Sequence, residues 1–201
     1  MSTGRMEAFS DGVIAILITV MVLELPIPHG VTWSALHEAL PVLLTYVMSF
    51  VYLGIYWSNH HHMLQATRRV SGLILWANLH LLFWLSLVPF TTAWMGENSF
   101  AAVPAAAYGF VLLAAALAYY ALQSAIIRDQ GEASLVAAAV GHDWKGKVSP
   151  LLYVSGIALS FVSSWPAIAV YTGVALMWLV PDRRLERTVA RAATVVIPAE
   201  E

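Results

Sequence analysis

Six runs of apolar residues limit how this chain can fold. They cover residues 5–25, 36–58, 72–94, 104–127, 148–163 and 166–180. A helix needs about 20 apolar residues to cross the hydrocarbon core of a bilayer. The second, third and fourth runs reach that length, and the first does so only by taking in polar residues at its start; the last two fall short and suit short or tilted spans. Only 11% of the 201 residues are charged, 60% are hydrophobic, and the mean hydropathy is +0.73. Soluble domains carry about 25% charged residues, so the sequence predicts an all-α integral membrane protein with six transmembrane helices. Residues 1–181 form the membrane domain and 182–201 a charged tail, in which DRRLERTVARAA suits a short surface helix. Arg5 ahead of an apolar run superficially suggests a signal peptide. Asp11 and Glu24 interrupt that run and no small-residue cleavage site follows, so it reads as a retained span.

The ten basic residues orient these spans. Arg5, Arg68, Arg69, Arg128, Lys145, Lys147, Arg183, Arg184, Arg187 and Arg191 all fall on one side of a six-span chain. Positive loops stay on the cytoplasmic side, so both termini are expected in the cytoplasm and the protein in the inner (plasma) membrane. The opposite loops hold Glu24, Glu38 and Glu97 without basic partners; as solvated loop acids these interact weakly in salt. Cysteine is absent, which excludes disulfides and thiolate metal sites.

The first run, RMEAFSDGVIAILITVMVLEL, has two sides. Its uninterrupted apolar part is about 14 residues, or roughly 21 Å of helix at 1.5 Å per residue. To span a bilayer it must carry Arg5, Glu7, Ser10 and Asp11 to the membrane edge or inside it, where each ionisable group costs at least ~2.5–3.5 kcal/mol against lipid. At about 100° per residue, Arg5, Phe9, Gly12, Ile16, Thr19 and Leu23 share one line and Val20 borders it, while Ser10 and Asp11 point away. By spacing alone this stripe is what ordinary helix packing produces. Ser10 and Asp11 are expected to anchor the helix through a hydrogen-bonded network with Trp57, His60, His61, Asn78 and His80, which lie at matching depth in the second and third runs. The triplet His60, His61, His62 does not read as a metal site, because consecutive helical residues diverge by about 100° and no His pair sits four apart. An enzyme built on this cluster is therefore disfavoured, and no cofactor is expected. Pro89 inside the third run suggests a kink.

The motif Arg5-x-x-x-Phe9-Ser10-Asp11, followed by GVIAILIT and LEL, resembles the signature that opens the first helix of the transmembrane-protein-175 family of potassium channels. The stretches YWSNHHHM and NLHLLFWLSLVPFTT are similar to that family as well. A single six-span unit looks like the bacterial type, which implies a homotetramer in the bilayer with the first helix of each subunit lining a central pore. The resemblance implies a potassium-preferring cation channel. Ile16 is then the hydrophobic constriction, Val20 and Leu23 flank it, Thr19 contributes to potassium preference, and Arg5, Phe9, Ser10 and Asp11 position the helix. Potassium is then the permeant ion, and no nucleic-acid partner is implied. An alternative is a proton-coupled secondary transporter using intramembrane Asp and His. The lack of an internal repeat and of broken helices disfavours it.

Overall fold

All six apolar runs fold as helices. The computed structural model describes residues 2–131, 134–140 and 144–179, and among them there are nine helices and no strand. They are α1 (Thr3–Leu23), α2 (Trp33–Glu38), α3 (Leu40–Gln65), α4 (Gly72–Ser86), α5 (Val88–Glu97), α6 (Ala102–Gln130), α7 (Leu135–Val140), α8 (Trp144–Ser160) and α9 (Ser164–Leu179). Four units are long and apolar enough to cross a membrane: α1, α3, α4 with α5, and α6. The helices α8 and α9 are shorter. The tail from residue 180 onward, with its four arginines and expected surface helix, lies outside the described residues.

Two segments differ from the sequence expectation. The second span begins at Leu40, because residues 33–38 form the separate helix α2, and it runs on to Gln65 through the whole histidine triplet. The connection after α6, expected to be merely polar, contains the short helix α7. The third span breaks at Leu87 into α4 and α5. Pro89, in the first turn of α5, has no N–H to continue the ladder of α4, which explains the break. Thr91 and Thr92 donate their hydroxyls back to the carbonyls of Leu87 and Val88.

The longest helix, α6, occupies the centre. It packs against α4 and α5 on one side and α8 and α9 on another. Its buried positions include Ala105, Ala106, Gly109, Ala114, Ala115 and Ala118, small residues that let neighbouring backbones approach. One core region joins α1, α4, the later part of α3 and the second half of α6. The other gathers α3, α5, α8, α9 and the first half of α6 around Tyr52, Tyr108, Tyr153 and Tyr171. In the second region Tyr171 of α9 inserts between two glycines. A Cβ on Gly109 would overlap its hydroxyl, and one on Gly156 would overlap its ring. Gly156→Val is therefore expected to destabilise the protein by about 1–3 kcal/mol through overpacking. The measurement is the thermal unfolding midpoint in detergent, and an unchanged midpoint would show that the α8–α9 contact yields freely.

Candidate functional site

The first helix carries the site, and its two faces have opposite fates. Toward the protein it buries Met6, Ser10, Ile14 and Met21. This spacing of four, four and seven is the stripe of a helix laid on a core. On the other side Phe9 is 52% exposed, Ile16 61%, Val20 40% and Leu23 80%, with Arg5, Gly12 and Thr19 exposed among them. The chain thus leaves uncovered the same line that the helical wheel picks out, a row of bulky aliphatic side chains interrupted by one hydroxyl. Thr19 Oγ1 sits 3.0 Å from the carbonyls of both Ala15 and Ile16, so its proton is engaged within its own helix. What it presents outward is oxygen lone pairs, acceptors suited to a cation.

The inner face is fixed by a directed chain of hydrogen bonds among buried groups. The Ser10 hydroxyl donates to the Met6 carbonyl at 2.8 Å, so it is left to accept. It accepts from Asn78 Nδ2 at 3.0 Å, which turns the amide oxygen of Asn78 toward His60 Nε2 at 2.7 Å. That geometry requires the proton of His60 to sit on Nε2. The chain links α1, α4 and α3 through Ser10, Asn78 and His60, all three buried.

A second layer lies nearer the surface. Trp57 Nε1 donates to Asp11 Oδ1 at 3.0 Å, and His61 Nδ1 meets Glu7 Oε1 at 2.7 Å. His61 Nε2 also contacts Gln65 at 2.9 Å. Glu7 and Asp11 are four apart on α1, and Trp57 and His61 are four apart on α3. Two antiparallel helices bring such pairs into contact together, one turn matched to one turn. Asp11 is half-buried.

Of the expected network, Ser10, Asp11, Trp57, His60, His61 and Asn78 meet, in two separate layers. His80 does not join them. It is exposed and accepts from Trp84 Nε1 at 2.9 Å on its own helix. The reason is geometric: Asn78 and His80, two apart, lie about 200° apart around α4. Arg5 and Phe9 stand on the exposed side of α1, away from both layers. Glu7 and Gln65 were not anticipated, although the four-residue spacing of Glu7 with Asp11 signals the former. The three consecutive histidines diverge. His60 turns to Asn78 and His61 to Glu7, while His62 meets the His61 ring edge-on at 5.5 Å. No cluster of three His, Asp or Glu side chains able to hold a metal occurs among the described residues.

In the connection between α3 and α4, Arg69 reaches α6. Its Nε donates to Asp129 Oδ2 at 3.0 Å and its guanidinium also donates to the Asp129 carbonyl at 2.9 Å. A cation at the last turn of a helix also complements the helix dipole.

Long apolar helices joined by a polar network at one end of the first of them define a multi-pass helical membrane protein. Residues 5–89, which hold that network, match the family model described as the endosomal/lysosomal potassium channel TMEM175. The whole chain is similar to a potassium channel from Chryseobacterium sp. (strain P1-3), with 52% identity over 188 residues that span 94% of this chain and 98% of that one. The fold is similar to the crystal structure of a lysosomal potassium-selective channel TMEM175 homolog from Chamaesiphon minutus, at a TM-score of 0.76 and 32% identity, covering 90% of this chain and 97% of the other. Similarity extends to an endosomal/lysosomal proton channel TMEM175 of Gallus gallus, 39% identical over an 89-residue alignment that covers 37% of this chain and 18% of that protein. The chain belongs to the TMEM175 family.

Proposed function

We propose that this protein is a potassium-preferring cation channel, not an enzyme, in which four copies bring α1 around a central axis. The observation that carries this reading is the uncovered stripe of α1. A line of bulky aliphatic side chains exposed on one protomer needs either lipid or other copies of itself. The one hydroxyl on the line has its proton turned inward and its lone pairs outward, which suits a conduction path better than a lipid contact. Family membership and the relatives named as potassium channels support the same choice. In this reading Ile16 forms the constriction, Val20 and Leu23 flank it, and Thr19 supplies oxygen ligands. Four aliphatic side chains in a narrow ring disfavour a hydrated ion, so a small change in ring diameter gates by dewetting. The polar network of Ser10, Asp11, Trp57, His60, His61 and Asn78 sets the rotation of α1 about its own axis, so that this face points inward.

The proposed layout has six spans in residues 1–181, with α8 and α9 as short fifth and sixth spans, both termini in the cytoplasm and residues 182–201 as a cytoplasmic tail. Reconstitution in liposomes with separate potassium and sodium gradients tests the function. Wild type is expected to pass potassium faster than sodium, at rates that do not saturate like a transporter and do not require a proton gradient. Thr19→Ala is expected to keep flux and narrow the potassium preference. A preference unchanged by that substitution removes the role given to Thr19, and absence of ion flux in wild type overturns the channel. Native mass spectrometry of the full chain in mild detergent is expected to give the mass of four copies.

A further inference from the structure

His80 carries a hydrogen-bond donor that its own chain leaves unused. Its Nε2 accepts from Trp84 Nε1 at 2.9 Å, so the proton of the neutral ring sits on Nδ1. Nothing among the described residues accepts from that N–H, and the side chain is exposed. Ser58 is its counterpart on α3. It is exposed too, and its hydroxyl makes no hydrogen bond among the described residues. A serine within a helix can turn its hydroxyl back to the carbonyl four residues earlier, as Ser10, Ser149 and Ser160 do here. Ser58 does not, so its oxygen is open to a donor.

The two groups lie at one depth. The helix α3 ends at Gln65 and α4 begins at Gly72, joined by a short connection. Ser58 and His80 are each about 10–12 Å of helix from that end. Spans of this length overhang a ~30 Å hydrocarbon core by only a few ångströms, so both groups are inside it, where an unpaired polar group is costly. They cannot satisfy each other within one copy. His60 Nε2 and Asn78 Oδ1 meet at 2.7 Å between α3 and α4. Ser58 and His80 each stand two residues from that contact, about 200° around their helices, and so both point outward.

The position of α1 selects the occupant of these two faces. Ser10 ties α1 to α4 through Asn78, and Asp11 ties it to α3 through Trp57. Consecutive residues differ by about 100°, so α3 and α4 flank α1 on its two sides. If the stripe of α1 faces a fourfold axis, each copy is a wedge with α3 on one flank and α4 on the other. Closing a ring by rotation joins unlike surfaces, head to tail. The α3 flank of one copy then meets the α4 flank of the next. Their shapes agree with that meeting. A Cβ on Gly54 would meet nothing within 4 Å, which leaves a hollow on the α3 face one turn from Ser58. Phe83, about one turn from His80 in the same direction, is an exposed ring. With Ser58 level with His80, ring and hollow stand opposite, and a small residue permits the close approach.

We propose that the outer face of α4 in one copy packs on the outer face of α3 in the next, with His80 Nδ1 donating to Ser58 Oγ of the neighbouring copy and Phe83 filling the hollow at Gly54. The inference rests on the four-copy reading given above, and it names the contact that closes the ring.

The chain has no cysteine, so introduced pairs report without background. Ser58→Cys with His80→Cys, oxidised in membranes, is expected to give two, three and four linked copies on denaturing gels and nothing larger. Each single variant is expected to stay unlinked, because the contact joins two different surfaces. The pair Ser58→Cys with Phe90→Cys, out of level by about 15 Å, is expected to stay unlinked as well. Ser58→Ala and His80→Phe are each expected to weaken association about threefold per contact, read as free monomer by native mass spectrometry at a fixed detergent concentration. No linking by Ser58→Cys with His80→Cys, in protein whose native mass is four copies, overturns this contact and leaves the four-copy channel standing. So does linking by a single variant or by the out-of-level pair to the same extent. A wild-type native mass below four copies overturns both.

Discussion

Asparagine in place of Ile16 is expected to raise potassium flux through the reconstituted protein by about tenfold or more and to weaken discrimination against sodium. Ile16 contributes little to its own protomer: it is 61% exposed, on the face of α1 opposite Met6, Ser10 and Ile14. The substitution therefore costs little stability, roughly 0.5 kcal/mol from helix propensity. In the proposed pore it acts four times at once. Each apolar side chain that an ion must pass without its water is replaced by an amide that substitutes for water. A drop in the barrier of about 1.4 kcal/mol, a small amount when shared among four side chains, is already a factor of ten in rate. The readout is potassium and sodium uptake into liposomes, with equal protein incorporation checked. If flux and selectivity stay at wild-type values in folded, fourfold-assembled protein, the constriction lies elsewhere. Leu23→Asn provides a graded comparison, since Leu23 is 80% exposed near the end of the same stripe.

Removing the amide of Asn78 is expected to destabilise the protein strongly. Asn78→Leu keeps the volume similar and deletes both bonds of a relay in which every member is buried. Ser10 loses its donor at 3.0 Å and His60 its acceptor at 2.7 Å. His60 Nδ1 has no other partner within the described residues, so the ring is left without a hydrogen bond there. His60 Nε2–H, left without an acceptor, costs about 1–3 kcal/mol, and the accepted bond that Ser10 loses while still donating to the Met6 carbonyl costs about 1 kcal/mol more, giving about 2–4 kcal/mol. For a chain of this length that is a fall of roughly 5–15 °C in the unfolding midpoint. The double variant Ser10→Ala with Asn78→Leu is expected to recover part of the loss, because the buried hydroxyl that Asn78 no longer meets is gone with its partner. A double variant no more stable than Asn78→Leu alone would mean that the Ser10–Asn78 bond carries little of the effect.

Much of this arrangement is legible in residues alone, for identifiable reasons. Apolar length marks the spans because a bilayer imposes one, and all six runs became helices. The two sides of α1 follow from its period: the wheel puts Ser10 opposite Ile16, and the fold buries one and exposes the other. Depth matching brought Ser10, Asn78 and His60 together before any coordinates. It failed for His80 because depth says nothing about rotation. Residues 78 and 80 share a level in the membrane and face opposite ways. Glu7, marked as a costly group at the membrane edge, was not joined to the network, because only its four-residue spacing from Asp11 shows that it belongs with His61. The break at Leu87 is written in Pro89. By contrast, Tyr171 wedged between Gly109 and Gly156 depends on the α8–α9 pair meeting α6, which is distant in sequence, and no local pattern reveals that.

The double contact of Glu7 with His61 and Asp11 with Trp57 has a mechanical consequence. The two bonds work together at only one register of α1 on α3. A slide of one helical turn would set Glu7 opposite Trp57 and bring Thr3 to His61, losing both at a stroke. The root of α1, from Glu7 to Asp11, is thereby clamped by directional bonds. Past Ile14, only apolar contacts, chiefly that of Met21, hold it, and these yield by small displacements without a threshold. In the proposed channel α1 is then a tine fixed at its base. Widening at Ile16 and Leu23 is a splaying of the far end, and its stiffness is set by residues that no permeating ion touches.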